Sequence, residues 1–251
     1  MTDSTPLDRG RRADVFLVER GFAASRSEAQ AAIAAGQVRV DGVTIAKPAQ
    51  LLLETMRVDY APPHTYVSRG ALKLIAALDE FSISPDGLIC LDIGASTGGF
   101  TEVLLERGAQ KVFAVDVGHG QLRERLAKDP RVVVMEGVNA RGLTATQLPQ
   151  APQLIVADVS FISLKLALSS ALMLAKPGAR LVALIKPQFE VGRARIGKGG
   201  IVKSEDDQRA ACEDIQTWLV QEQKWLVDGT MESPIAGGDG NREFLIAAQK
   251  P

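Results

Sequence analysis

Apolar and polar positions keep different rhythms on the two sides of residue 61. After it, residues 88–93 form an almost unbroken apolar run, as a strand buried on both faces requires. Residues 111–116, 131–135, 154–158 and 181–185 repeat the pattern, which predicts five strands. Helical spacing is expected near 101–107, closed by Gly108, then over 164–174 and 204–223. Residues 225–228 and 244–248 read as final strands; without a long helix between them they should pair antiparallel. Trp218 and Trp225 are expected in the core. Repeated strand–helix units predict a mostly parallel, seven-stranded sheet with helices on both sides. Before residue 61 the elements are shorter. Ala13, Phe16 and Leu17 have helical spacing within 11–20, and Ser25 with Glu28 forms a capping box opening a second helix that stops at Gly36. Val38 and Val40, Asp41-Gly42, then Val43 and Ile45 read as a hairpin with a type I′ turn. Pro62 and Pro63, next to His64, disfavour helix and predict an extended hinge over 61–67. The division expected is a small α+β domain at 9–60 and an α/β domain at 68–250.

Composition narrows this picture. A chain of 251 residues with 46% hydrophobic and 24% charged residues excludes general disorder and fits two unequal domains. No apolar run approaches the ~18 residues of a membrane span, and residues 1–6 carry no basic-then-apolar leader. A soluble, cytoplasmic chain is expected, with Cys90 and Cys212 as reduced thiols and no metal framework. The net charge of −1 gives no general basic coat, so charge matters locally. Lys186, Arg193, Arg195, Lys198 and Lys203 face only Glu190 within 186–203, a glycine-rich segment expected to close over phosphates as a mobile basic loop. Its Gly192-Arg193-Ala194-Arg195-Ile196-Gly197-Lys198-Gly199 run is a near P-loop, but lacks the final Ser/Thr and a preceding buried strand.

The candidate chemistry sits at strand ends. Asp92-Ile93-Gly94-Ala95-Ser96-Thr97-Gly98-Gly99-Phe100 leaves the first strand and opens a helix, where glycines admit a ligand close to the backbone. Asp116, followed by Val117, ends the next strand, where a carboxylate can accept from a ribose diol. That placement suits NAD equally well, but the spacing G-x-x-x-G-G differs from the dinucleotide G-x-G-x-x-G. The loop resembles the S-adenosylmethionine loop of class I methyltransferases. Asn139, after the third strand, is a candidate adenine contact, whereas His119 reads as a plain loop residue.

Four ionisable residues stand out: Lys73, Asp158 in Asp158-Val159-Ser160-Phe161, Lys186 in Lys186-Pro187-Gln188-Phe189-Glu190, and Glu243. Ligands of open α/β sheets bind outside the carboxyl ends of the strands, which puts Asp158 and Lys186 beside the cofactor. Together the four resemble the Lys-Asp-Lys-Glu tetrad of FtsJ-class RNA ribose 2′-O-methyltransferases. In-line alignment of a 2′-oxygen and removal of its proton are what such chemistry needs. Free lysine, with a pKa of ~10.4, is a poor base until burial or a second ammonium lowers it, while neighbouring carboxylates raise it. By the resemblance Lys186 is the base, and Lys73, Asp158 and Glu243 position it and the ribose. The Asp/Asn-Pro-Pro-Tyr/Phe trace of base amino methylation and a cysteine placed for carbon-5 methylation are both missing.

The N-terminal helix–helix–hairpin resembles the S4-type RNA-binding domain through Arg11-Arg12-Ala13-Asp14, Ser25-Arg26-Ser27-Glu28-Ala29 and the stretch from Gly36 to Gly42. Arg11, Arg12, Arg26 and Arg39 are its candidate phosphate contacts, joined by Arg69, Arg193, Arg195 and Lys198. The order of the two domains, with Ser68-Arg69-Gly70 before Lys73, resembles the TlyA family, which implies a class I, Rossmann-like fold and 2′-O-methylation of cytidine in ribosomal RNA. It implies S-adenosylmethionine as cofactor, S-adenosylhomocysteine as product, and ribosomal RNA or subunits as partner, without membrane or metal and with a monomer expected. The competing classes are a noncatalytic RNA-binding or ribosome-assembly factor, which gains nothing from the tetrad, and a membrane-active haemolysin, which needs an insertion element.

Overall fold

The computed structural model describes residues 10–23, 25–60, 66–237 and 240–251, and the chain divides into two units, 1–65 and 66–251. Residues 61–65, with His64 and most of the expected hinge, lie outside the described residues, as does the tail before residue 10. The first unit contains β1 (Arg11–Arg12), α1 (Ala13–Glu19), α2 (Arg26–Ala34), β2 (Val38–Val40), β3 (Val43–Thr44), β4 (Leu51–Leu52) and β5 (Val58–Tyr60). The helix expected from residue 11 starts at Ala13, because Arg11 and Arg12 pair antiparallel with Leu52 and Leu51. Its first N–H groups are satisfied by the chain rather than by a side-chain cap: Ala13 donates to the Gln50 carbonyl at 2.7 Å and Asp14 to that of Pro48 at 3.1 Å. Ser25 caps α2 by accepting from the Glu28 N–H at 3.2 Å. Asp41 and Gly42, at φ 49° and 80°, make the type I′ turn that Asp-Gly predicts. Ala13, Leu17, Ala29, Ile33, Val38 and Leu52 close one core.

One carboxylate is sealed into that unit. Asp14 is fully buried. It accepts from Arg12 Nε at 3.0 Å, Arg26 Nη2 at 2.9 Å and Gln30 Nε2 at 2.7 Å. The Arg12 guanidinium, helped by Gln30 and Arg26, holds its carboxyl well below the usual range against the opposing effect of burial. A depressed folded-state pKa adds stability above the unfolded value of ~3.9, lost as pH falls toward the folded one. The first unit should therefore resist urea less at pH 3 than at pH 6, read from the amide resonances of α2. Asp14→Asn should weaken it at pH 6 and shrink the difference between the two pH values; an undiminished difference would assign the acid sensitivity to other carboxylates.

The second unit runs α3 (Gly70–Glu80), β6 (Ile89–Ile93), α4 (Gly99–Glu106), β7 (Lys111–Asp116), α5 (Glu124–Ala127), β8 (Val132–Glu136), β9 (Leu154–Ala157), α6 (Leu164–Leu174), β10 (Arg180–Ile185), α7 (Pro187–Glu190), α8 (Glu205–Gln221), β11 (Leu226–Glu232) and β12 (Phe244–Gln249). Its seven strands lie in the order β11-β12-β10-β9-β6-β7-β8. Strands β8, β7, β6, β9 and β10 are parallel to their neighbours in turn, and β12 is antiparallel to both β10 and β11. Side chains alternate across the sheet as strand geometry demands. Leu91, Ile93 and Ile155 pack with α6, Trp218 and Trp225 on one face. Cys90, Val156 and Val182 pack with α3 and α4 on the other. Strand order reverses between β6 and β9, which opens a ligand crevice at their carboxyl ends. The sequence reading misses α3, which starts at Gly70 and delivers Lys73, as well as α5, β4 and β5.

Candidate active site

A cleft of about 360 Å³ opens at this switch point, lined among others by Gly94, Ser96, Asp116, Val117, Asn139 and Asp158. The loop after β6 reaches it through a backbone that only glycine can supply. Gly94 has φ +81°, and a Cβ there would lie 2.4 Å from the Asp158 carbonyl oxygen. Gly98 has φ +101° and opens α4. Asp116 shapes the cleft with both oxygens, accepting from the Ser96 N–H at 2.8 Å and the Gly118 N–H at 2.7 Å. Asn139 Oδ1 accepts from the Arg141 N–H at 3.1 Å. The remaining candidates of the glycine loop, Asp92, Ala95, Thr97, Gly98, Gly99 and Phe100, build the turn without lining the cleft. Asp92 is fully buried and accepts from Thr101 Oγ1 at 2.6 Å. Its Oδ1 has no hydrogen-bond partner. Burial pushes the Asp92 carboxyl up to about 7, with Asp158 and Asp116 adding to the rise and the Thr101 bond opposing it.

The four ionisable residues form two ion pairs. Lys73 and Glu243, both buried, bond each other directly. Lys186 Nζ lies 2.6 Å from Asp158 Oδ1. That contact is an ion pair off the hydrogen-bond direction, since Oδ1 has no hydrogen-bond partner; the ammonium's hydrogen bond goes to Ser160 Oγ at 2.9 Å. Lys186 and Glu243 share a second pocket of about 430 Å³ with Gln188, Phe189, Ile196 and Gly200. Ser160 and Phe161 line both spaces and form the wall between them. The Ser68-Arg69-Gly70 segment sits over this site: a Cβ on Gly99 would lie 2.1 Å from Ser68 Oγ, and one on Gly70 would lie 3.6 Å from Asp158 Oδ2. The Val67 N–H donates to Glu102 of α4 at 2.7 Å, so the entry to α3 is tied down.

Sequence reasoning missed several residues that shape the site. Phe161 is 91% exposed. Its φ is +65°, a conformation costly for an aromatic residue and concentrated at functional sites. Glu136 accepts from the N–H groups of Gly120, Gln121 and Leu122 at 2.7, 2.8 and 3.1 Å, which folds the loop after Asp116 and holds the carboxyl below its usual range. A carboxylate ending an edge strand opposite a Gly-rich loop was the only signal for it. Asn241, 1% exposed, accepts from the Val202 N–H and donates to the Gly200 carbonyl, each at 2.9 Å. The segment expected as a mobile basic loop is thus pinned at 200–202. Arg193, Arg195 and Lys198 stay exposed, with Arg195 3.3 Å from Asp207.

The candidate RNA contacts of the first unit are exposed but already engaged. Arg12 and Arg26 share Asp14, Arg11 pairs with Glu19 at 2.5 Å, and Arg39 Nη2 donates to the Gly42 carbonyl at 2.8 Å. Arg69 precedes α3 and is half-buried. Cys90 and Cys212 are free, and burial pushes their thiols up to about 12 and about 11, away from nucleophilic use.

The 3-2-1-4-5-7-6 order, the glycine turn after the first strand and the acidic end of the second define a class I methyltransferase fold. Residues 66–250 match the FtsJ-like methyltransferase family and residues 11–58 the S4 domain. The chain is 47% identical over 242 residues to the 16S/23S rRNA (cytidine-2′-O)-methyltransferase TlyA of Mycobacterium tuberculosis, a match covering 96% of this chain and 90% of that one. It is 41% identical to hemolysin A of Brachyspira hyodysenteriae over 93% of this chain and 98% of the relative. A solved structure of a hemolysin-named protein from Streptococcus thermophilus superimposes with a TM-score of 0.78 at 39% identity, covering 97% of this chain and 90% of that one. The chain belongs to the TlyA family of FtsJ-like methyltransferases, with an S4 domain ahead of the methyltransferase domain. Among the described residues no helix is long and apolar enough to cross a membrane.

Proposed function

We propose that the protein is a cytoplasmic S-adenosylmethionine-dependent methyltransferase acting on the ribose 2′-hydroxyl of a cytidine in ribosomal RNA, as a monomer that recognises RNA through its S4 domain. The observation that carries this reading is the pair of lysine–carboxylate contacts, with Asp158 lining the cleft and Lys186 and Glu243 lining the adjoining pocket. The cleft fits the cofactor on its own chemistry: it is lined by Asp116 and Asp158, and a buried carboxylate oxygen of Asp92 stands unpaired behind it. Such a set suits a ribose diol and a cationic sulfonium. Asp116 would hold the ribose and the loop at Gly94 and Ser96 the methionine end, with Val117 and Asn139 beside the adenine.

The bound cofactor supplies an activated methyl group. The chain's task is to align the 2′-oxygen and take its proton. Lys186 faces the pocket and, as the neutral amine, accepts that proton at Nζ. Asp158, 2.6 Å away, stabilises the ammonium as it forms. Glu243 bounds the same pocket and, fixed by its direct bond to Lys73, orients the ribose hydroxyls. Arg11, Arg12, Arg26 and Arg39, with Arg69, Arg193, Arg195 and Lys198, are assigned to RNA phosphates, where they position the substrate without reading sequence.

Labelled methyl transfer from S-adenosylmethionine into rRNA tests the reading. Label is expected in a nucleoside whose 3′ linkage resists alkali, because alkaline cleavage needs a free 2′-hydroxyl. Label on a base, or none in rRNA or intact subunits, would refute it. Some relatives carry hemolysin names; the rRNA reading is preferred because it accounts for the ion pairs.

A further inference from the structure

The loops after β9 and β10 carry the two partners of the Lys186–Asp158 pair, and loops are ordinarily the freest parts of such a sheet. Here they are fastened at two points, with a ring contact between them. Lys186 meets Asp158 and Ser160. Phe189 packs on Phe161 with ring centroids 5.2 Å apart and planes tilted by 52°. Glu190 then reaches the start of α6: its Oε2 accepts from Ser163 Oγ at 2.6 Å and its Oε1 from the Leu164 N–H at 2.9 Å. Between these points α7 is a single turn opened by Pro187, with the Phe189 N–H bonded to the Lys186 carbonyl at 2.9 Å. Proline fixes its own φ, which with that bond limits the relative freedom of Lys186, Phe189 and Glu190.

Glu190 lines neither the cleft nor the pocket. It acts as a second cap for α6. Ser163 already caps that helix by accepting from the Lys165 N–H at 3.3 Å, and Glu190 satisfies the Leu164 N–H. Burial raises the Glu190 carboxyl above its ordinary value while the Ser163 and Leu164 bonds draw it down. A carboxylate kept in so unfavourable a place is held there by the bonds it makes.

We infer that Glu190 is a positioning residue for the Lys186–Asp158 pair: by clamping α7 to the first turn of α6 it sets the separation of the two loops and the place of Lys186 Nζ over the pocket. This deepens the methyltransferase reading, on which its kinetic test rests. In the full chain, Glu190→Ala should lower kcat for rRNA methylation by about tenfold or more, as small misplacements of reacting groups do. The S-adenosylmethionine Kd should stay at the wild-type value. Glu190→Gln, which keeps an oxygen acceptor, should recover part of the loss. In a crystal structure of Glu190→Ala, Lys186 Nζ should leave its 2.6 Å contact with Asp158.

A purely stabilising role predicts a lower melting temperature with kcat per folded molecule unchanged, and that result would overturn the proposal. So would a matching loss of cofactor affinity, or an unmoved Lys186 in the crystal. Should Glu190→Ala not fold, Ser163→Ala removes the hydroxyl partner alone and should lower kcat with the same intact Kd; a wild-type kcat there refutes the clamp. The crystallographic readout does not depend on turnover. A wild-type chain inactive on rRNA would defeat the functional reading and leave the role of Glu190 to be decided by the position of Lys186.

Discussion

Lys186→Ala should lower methyl transfer to rRNA by about 10²- to 10⁴-fold, the usual cost of removing a general base. Binding of S-adenosylmethionine, read by calorimetry, should hardly change, because Gly94, Ser96 and Asp116 shape the cleft and Lys186 belongs to the neighbouring pocket. Lys186→Arg is the sharper variant. Arginine keeps a cation beside Asp158 but stays protonated in proteins, so it cannot accept the hydroxyl proton. If Lys186 is the base, the arginine enzyme should be as inactive as the alanine one. If Lys186 only holds Asp158 and the substrate, arginine should restore much of the rate. A loss below about tenfold in Lys186→Ala would deny it the role of base and move attention to Lys73.

The second large effect concerns the buried pair. Glu243→Ala should destabilise the methyltransferase unit by about 3–5 kcal/mol, because it leaves the Lys73 ammonium buried without its counter-charge. Lys73 and Glu243 are only 8% and 3% exposed, so solvent has little access to compensate. Urea denaturation followed by the fluorescence of Trp218 and Trp225, both in the core of this unit, would measure it. The double variant Lys73→Met/Glu243→Leu should regain much of that stability, since well-packed apolar side chains often replace a buried ion pair at little cost. Methyl transfer should stay lost in the double variant. Stability and activity recovering together would mean that the pair only holds the fold.

The glycine turn, Asp116 at the end of β7 and the charged ends of β9 and β10 were all legible, because strand ends and glycine turns are local features that the sheet topology then brings together. The tetrad was legible as a set of residues and not as a geometry. Nothing in sequence spacing says that Lys73 takes Glu243, 170 positions away, while Lys186 takes Asp158. Helix α3 escaped because the Ser68-Arg69-Gly70 entry offers no side-chain cap; its start is held by Ser68 against Gly99 and by Val67 against Glu102. Expected mobility of the basic segment missed Asn241, whose two hydrogen bonds span some forty positions of chain.

By itself the sequence determined the approximate place of every strand of the large sheet, the turn at Asp41-Gly42, the glycines of the loop after β6 and the identities of the four ionisable residues. Those properties depend on neighbouring residues and their steric and hydrogen-bonding habits. Only the tertiary structure decided which carboxylate each lysine meets, that Arg12 and Arg26 both grip the buried Asp14, that Phe161 stands strained between two spaces, and that Glu190 ties two loops together. These are contacts between distant segments, and their strength comes from burial and from geometry accurate to fractions of an ångström, which exist only once the sheet has closed.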